Sequence, residues 1–286
     1  EVINAADYGV PQRRERVILI GNKLGIEPTF PVETNCDPRC ISCSRPDGSR
    51  RIRSNFSRED CPHCGGSGLE PVRKHSLPPW VSVRHAISDL PGLGTDGGTD
   101  EHVPYLGKPE FPYQKWIRLG SSGYDLHKAR PLSDLSDAIM KQIPPGSGIR
   151  SISTSDLPPR FREMRKVASG SFRRDCTTLY YRLEWDLPSY TITCSFGNVA
   201  SGAFCHPAEN RSLTVREGAR LQSFPDRFVF ARDGVRRQIG NAVPPLLARV
   251  LAKHIISLES SEGIPRRIPR IEFRNFGAAS AQKELF

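Results

Sequence analysis

Arg211-Ser-Leu-Thr-Val-Arg-Glu-Gly-Ala-Arg-Leu-Gln-Ser-Phe-Pro-Asp226 is followed twelve residues later by Gln238-Ile-Gly-Asn-Ala-Val-Pro-Pro245. Within the first stretch, Thr214-Val-Arg-Glu217 is a capping box: the threonine hydroxyl accepts from a free first-turn amide while Glu217 reaches back to the cap. The pattern predicts a helix from Val215 to about Ser223, stopped by Phe224-Pro225. Pro244-Pro245 can open a second helix, with Leu247, Val250, Leu251, His254 and Ile255 as one stripe. Far upstream, Asn4-Ala-Ala-Asp-Tyr-Gly-Val-Pro-Gln-Arg-Arg-Glu-Arg-Val-Ile-Leu-Ile-Gly21 ends in the apolar run Val17-Ile-Leu-Ile20. Such a run predicts a strand buried on both faces of a mainly parallel sheet. Residues 28–35 read as an extended exit loop.

At 286 residues the chain can bury one large core or two modest ones. It contains no run of about 18 apolar residues, which excludes a membrane-spanning helix. Glu1-Val-Ile-Asn lacks the basic and apolar regions of a signal peptide, so a cytoplasmic protein is expected. The net charge of +10 points to a polyanionic partner, because basic surfaces gain affinity for nucleic acid through counterion release. Of 41 basic residues 32 are Arg, the side chain whose planar fork matches phosphate and guanine bidentately.

Residues 100–205 carry scattered aromatics, many turn residues and little helical periodicity. Thr177-Thr-Leu-Tyr-Tyr-Arg-Leu183 and Tyr190-Thr-Ile-Thr-Cys-Ser-Phe196 have the β-branched and aromatic enrichment of strands. Gly92 to Thr99 reads as a glycine-dense loop. Residues 36–75 are polar and Cys-rich, with the spacing C-x3-C-x2-C-x17-C-x2-C. Two C-x2-C pairs at that separation fit a tetrahedral structural zinc site with Cys40, Cys43, Cys61 and Cys64 as ligands, Cys36 or His63 being replacements. Arg50-Arg-Ile-Arg53 between the pairs allows a DNA contact. Cys205-His206-Pro207 reads as a buried thiol rather than a nucleophile beside a base.

Taken in order, residues 4–21, 211–226 and 238–245 resemble signature motifs of the DNA (cytosine-5) methyltransferases. The resemblance implies an α/β chain: the carboxy-terminal part of a Rossmann-like class I methyltransferase fold, a smaller irregular β-containing target-recognition domain and the Cys-rich insertion. On this reading residues 1–35 hold a catalytic-domain strand and base clamp, 36–75 the insertion, and 76–210 the recognition region. Residues 211–257 would then brace the domains and line the cofactor, and 258–286 would form a basic tail. Trp80-Val-Ser-Val-Arg-His-Ala-Ile-Ser-Asp-Leu-Pro91 resembles the short helix that many members carry before their recognition domain.

Cytosine C5 lies inside the stacked duplex, so a protein that modifies it must hold the base flipped out. Gln12, Arg14 and Arg16 alternate and would share one side of an extended segment facing double-stranded DNA. The resemblance implies that Arg14 and Arg16 grip the flipped nucleotide, with Arg16 nearest the cytosine. It also implies that Asn241, Ala242 and Val243 border S-adenosylmethionine, in a turn where free amides and the helix dipole favour an anion. Arg216 and Arg220 are expected in internal ion pairs.

The sequence holds no Cys followed by Gln, Glu209-Asn210 runs on to Arg211, and Phe196-Gly-Asn-Val-Ala-Ser-Gly202 has the wrong glycine spacing for a cofactor loop. The expectation is therefore the DNA-recognising, carboxy-terminal part of a bacterial or phage enzyme, inactive without an amino-terminal half. That half would lie in the same longer chain or in a separate subunit, within restriction-modification or another methylation system. The alternative is a noncatalytic, zinc-dependent DNA-binding module derived from such an enzyme.

Overall fold

In the computed structural model, β1 (Val2–Asn4) pairs antiparallel with β2 (Glu15–Val17), in the register Val2↔Val17, Ile3↔Arg16 and Asn4↔Glu15. The structure describes residues 1–23, 25, 27–37, 77–94, 96–162, 165–166, 171–172, 178–231 and 233–261. Between the two strands, Asn4 caps a short 3-10 turn by accepting from the Ala6 amide at 3.3 Å. The apolar run that predicted a doubly covered parallel strand thus contributes only Val17 to a ladder, and that ladder is antiparallel. Val17 and Leu19 are exposed, because no layer among the described residues covers their face of the ribbon, while Ile3 on the other face is buried.

Residues 35–37 and 77–80 run side by side: the Cys36 amide donates to Pro78 O and the Trp80 amide to Cys36 O. Asp7 holds this neck through Trp80 Nε1 at 2.7 Å. Cys40, Cys43, Cys61 and Cys64 lie outside the described residues. The expected short helix is present as α1 (Val83–Ile87), started by a Ser82 and His85 capping box.

Two further antiparallel pairs follow, β3 (Gly98–Thr99) with β6 (His127–Lys128) and β4 (Val103–Pro104) with β5 (Gly123–Tyr124). Between β4 and β5 runs α2 (Pro112–Ile117), with proline in its first turn and Gln114 reaching back to the Glu110 and Phe111 amides. Next come α3 (Asp134–Met140), capped by Ser133, and α4 (Pro159–Arg162). β7 (Arg165–Lys166) pairs with β8 (Ser171–Phe172). The recognition region therefore holds more helix than its weak periodicity predicts; these helices are a turn or two long and depend on caps rather than on a repeating apolar face.

The expected strands at residues 177–183 and 190–196 are not ladders. Arg182 of the first makes one isolated bridge, with Cys205, and Ser189, just before the second, makes another with Gln12; their other backbone bonds go to loops. Their apolar residues instead fill two cores. Leu183, Ile192 and Phe196 pack with residues of α1 and α2 and with Ala219 and Leu221, while Tyr180 packs with Ile139, Met140 and Ile149.

α5 (Val215–Leu221) begins where its capping box places it, with Glu217 N donating to Thr214 Oγ1 at 3.1 Å and Thr214 N to Glu217 Oε2 at 2.8 Å. α6 (Val235–Asn241) was not legible, since Gly234 opens it and Gly240 lies within it. α7 (Pro245–Ser261) starts at the proline pair and runs past the expected tail boundary. Its Leu247 is buried against a third core of Ile3, Ala5, Tyr8 and Val10.

α5 is buried on every side, and its arginines end on acids as expected. Arg220 binds Asp226 at 2.6 Å and Asp89 at 2.6 Å, and Arg216 binds Asp226 at 3.5 Å and also Asp125. Tyr105 Oη donates to Asp226 at 2.6 Å. Arg211 meets Glu217 through two 2.8 Å bonds. Burial alone would raise the Glu217 carboxyl, but the Arg211 guanidinium outweighs it and holds the group well below the usual carboxylate range. Such a network adds little net stability over an apolar core, yet breaking one partner strands a buried charge.

Candidate functional site

Three segments far apart in sequence meet around two buried side chains. Gln12 Oε1 accepts from the Ile192 amide at 2.9 Å, while its Nε2 donates to Leu221 O at 3.2 Å and Gln222 Oε1 at 2.5 Å. Gln222 then donates to Ile239 O at 2.6 Å. This amide relay ties residue 12, the 190s loop, the end of α5 and α6 into one unit. Every polar atom of the Gln12 amide is used internally, so it offers nothing to solvent.

Arg14 is also buried. Its Nη1 donates to Ile192 O at 3.0 Å, and its Nη2 to Gly240 O at 3.0 Å and Ala242 O at 3.3 Å. Helix ends leave carbonyls unpaired, and a cation placed there completes them. Burial first, and the neighbouring Arg16 charge second, push the Arg14 guanidinium down to about 10, so it remains cationic at neutral pH. Arg16 differs: it is exposed, and its Nη1 donates to its neighbour's Glu15 O at 2.6 Å. Of the alternating three, only Arg16 presents its charge to solvent.

Asn241 and Val243 are exposed beside this unit, and Ala242 is half-buried. Asn241 is the last residue of α6, so residues 240–242 supply carbonyls, not the free amides expected of a helix start; the amides belong to α7, where Leu246 N donates to Ser223 Oγ at 3.1 Å. The Cys194 thiol, also exposed, donates to Asn241 Oδ1 at 3.1 Å. Gly240 is required here because a Cβ would collide with the Cys194 backbone nitrogen. Arg16, Cys194, Asn241 and Val243 are exposed residues adjoining this unit.

Sequence reading did not find the 190s loop as part of this site. Ser189, Ile192 and Cys194 carry it through backbone groups, and no side-chain pattern announces a carbonyl that will receive an arginine. Cys205 is fully buried, and burial pushes its thiol up to about 12, which leaves it protonated and unreactive at neutral pH. No cluster of metal-ligating side chains occurs among the described residues. Among those residues no helix is long and apolar enough to cross a membrane.

The segments that resemble methyltransferase motifs converge on one buried polar unit beside an exposed arginine. The family model for C-5 cytosine-specific DNA methylases matches residues 1–46 and 125–257. The chain belongs to the C-5 cytosine-specific DNA methylase family. It is 30% identical over 297 residues to the type II methyltransferase M.AgeI of Thalassovita gelatinovora, covering 88% of this chain and 64% of that protein. It is likewise 30% identical to the type II methyltransferase M.DdeI of Desulfomicrobium norvegicum, covering 89% of this chain and 53% of that one. Mouse DNA (cytosine-5)-methyltransferase 1 is 29% identical, over 89% of this chain and 18% of its own length. The chain thus spans between half and two thirds of the bacterial relatives named here.

Proposed function

We propose that this chain is the DNA-recognising, carboxy-terminal part of a DNA (cytosine-5) methyltransferase, and that Arg16 clamps the extruded cytosine. The observation that carries this reading is the division of labour among the alternating residues. Gln12 and Arg14 are locked from below by the 190s loop and α6, which leaves Arg16 alone facing outward on a strand that they hold in place. A charge presented by a strand that its neighbours fix loses little freedom on gripping a phosphate or a base.

S-adenosylmethionine, when bound, supplies the methyl group for cytosine C5. The exposed Asn241 amide and the exposed Val243 side chain suit one wall of a site for such a polar, zwitterionic molecule, with Ala242 contributing backbone. Arg14 sets the position of that wall by holding Gly240 O and Ala242 O. The thiolate that attacks C6 has no candidate in these 286 residues, where no Cys precedes Gln. An amino-terminal half supplies it. The ribbon supports such a partner, since Val2, Val17 and Leu19 are 61%, 68% and 89% exposed and present apolar surface for a further layer. Cys40, Cys43, Cys61 and Cys64 would add a structural zinc, for which elemental analysis should return one zinc per chain.

Arg16→Ala tests the clamp. Binding to DNA with an extruded or mismatched cytosine should weaken more than binding to a plain duplex, and equal losses would reduce Arg16 to a simple phosphate contact. The enzyme reading is tested by co-expression with an amino-terminal half carrying Pro-Cys-Gln, followed by challenge with a methylation-sensitive nuclease. Protection is expected. DNA that stays sensitive would leave the noncatalytic DNA-binding module as the function.

A further inference from the structure

α5 ends in a Schellman motif: Ser223 N donates to Arg220 O and Phe224 N to Ala219 O, both at 2.9 Å. The residue at the centre of that motif is left-handed and is most often glycine, which reaches positive φ without a Cβ clash. Here it is Ser223, with φ +65°. Among the described residues Leu126 and Tyr180 share positive φ, and both carry large side chains packed in or against an apolar core. Ser223 has no such side chain to pack. It is fully buried, and what it holds that glycine lacks is a hydroxyl.

That hydroxyl accepts from Leu246 N at 3.1 Å. Pro244 and Pro245 have no N–H, so Leu246 carries the first amide of α7, one of the helix-start donors that find no partner within the helix. The residue before Ser223 grips the other end of the same turn, where Gln222 Nε2 donates to Ile239 O at 2.6 Å. Two consecutive residues at the end of α5 thus hold residues 239 and 246, on either side of Asn241, Ala242 and Val243. Between these two points Arg14 donates to Gly240 O and Ala242 O, and the Cys194 thiol donates to Asn241 Oδ1. With Oδ1 engaged, the Asn241 amide offers its NH2 group, a donor that complements a carboxylate.

We infer that Ser223 is a positioning residue for the cofactor wall. It keeps a strained left-handed conformation because its hydroxyl fixes the far edge of the 241–243 turn, as Gln222 fixes the near edge. This rests on the reading of that turn as a wall for S-adenosylmethionine, whose amino-acid carboxylate suits the Asn241 donor. Backbone strain persists only where surrounding contacts over-determine it, and it gathers where orientation matters. A glycine would end α5 equally well and would leave Leu246 N without its acceptor.

The test compares wild type with Ser223→Gly and Ser223→Ala, each as the full chain in complex with the proposed amino-terminal half. It reads S-adenosylhomocysteine affinity by calorimetry beside the urea midpoint. Ser223→Gly loses the hydroxyl but relieves the strain, so its midpoint should stay near that of wild type while its affinity falls about three- to tenfold, the worth of one hydrogen bond. Ser223→Ala keeps the strain and loses the bond, so it should match that loss of affinity and also unfold at lower urea. In the chain alone, hydrogen exchange of the Leu246 amide should quicken in both variants, a readout that needs no cofactor. Wild-type affinity in Ser223→Gly would overturn the positioning role. A loss of affinity in step with a lowered midpoint in both variants would overturn it too, as the mark of a purely structural serine, and so would an unchanged Leu246 exchange rate. A wild-type complex that binds no S-adenosylhomocysteine would remove the cofactor-wall reading and this role together.

Discussion

At the scale of single residues, the fold concentrates its charges where loss of one partner is costly. Asp226 compensates Arg220 and Arg216 and accepts from Tyr105. Asp226→Ala leaves Arg220 with Asp89 and Arg216 with Asp125 as their remaining carboxylates and should cost about 3 kcal/mol, read from the urea midpoint; a shift within that of an ordinary surface substitution would show the network to be solvated. Two titrating residues act in opposite senses. His206 is pushed down to about 4, by burial first, against an ordinary 6.5. Between those values the unfolded chain takes up a proton that the folded one refuses, so acidification through that window favours unfolding. Asp7 is pushed up to about 6 from 3.8, by burial first and, among neighbouring charges, by Glu33 and Asp37, while the Trp80 bond resists the rise. Its folded form keeps a proton that the unfolded chain has lost, so its contribution is full at low pH and is lost as pH rises through about 6. Asp7→Asn retains an acceptor for Trp80 and should raise the melting temperature at pH 8 with no gain at pH 4. A gain equal at both values would show that ionisation of Asp7 plays no part.

At the scale of elements, helix starts were legible and helix neighbours were not. Thr214 and Pro244-Pro245 announce α5 and α7 through chemistry confined to one turn, whereas α1 was expected only from the resemblance of residues 80–91. Thr214→Ala should cost about 1 kcal/mol by removing the α5 cap, measurable by thermal melting. α6 carries no such signal, and its position depends on a contact: Gly240 lets it press on the Cys194 backbone. Gly240→Ala should lift α6 off the 190s loop, release Arg14 from two carbonyls and cost about 1–3 kcal/mol. An unshifted melt with unchanged DNA affinity would mean the loop moves freely. The expected strand at Val17-Ile-Leu-Ile20 was misread for the complementary reason. A run of apolar residues states that a segment needs cover, not that the described residues provide it.

At the scale of the whole molecule, the three signature segments are one structure. Gln12, Gln222 and Ile239 are joined by hydrogen bonds across more than 200 residues of sequence, which ties the segment before β2 to α5 and α6. Mixing the chain with the proposed amino-terminal half should therefore bury the exposed ribbon. Amide exchange at residues 15–19 should slow on mixing, while exchange in α5, already buried, should not change. Equal protection everywhere would indicate general stabilisation instead of docking.

Family, the starts of α5 and α7, the internal ion pairing of Arg216 and Arg220 and the burial of Cys205 were legible in sequence alone, because each rests on residue type within a short span or on a motif read whole. Which of Gln12, Arg14 and Arg16 faces outward was decided only by tertiary structure. Alternation places all three on one side, but whether that side meets solvent depends on the carbonyls of Ile192, Gly240 and Ala242, which lie more than 170 residues away and are contributed by backbone groups that every residue carries.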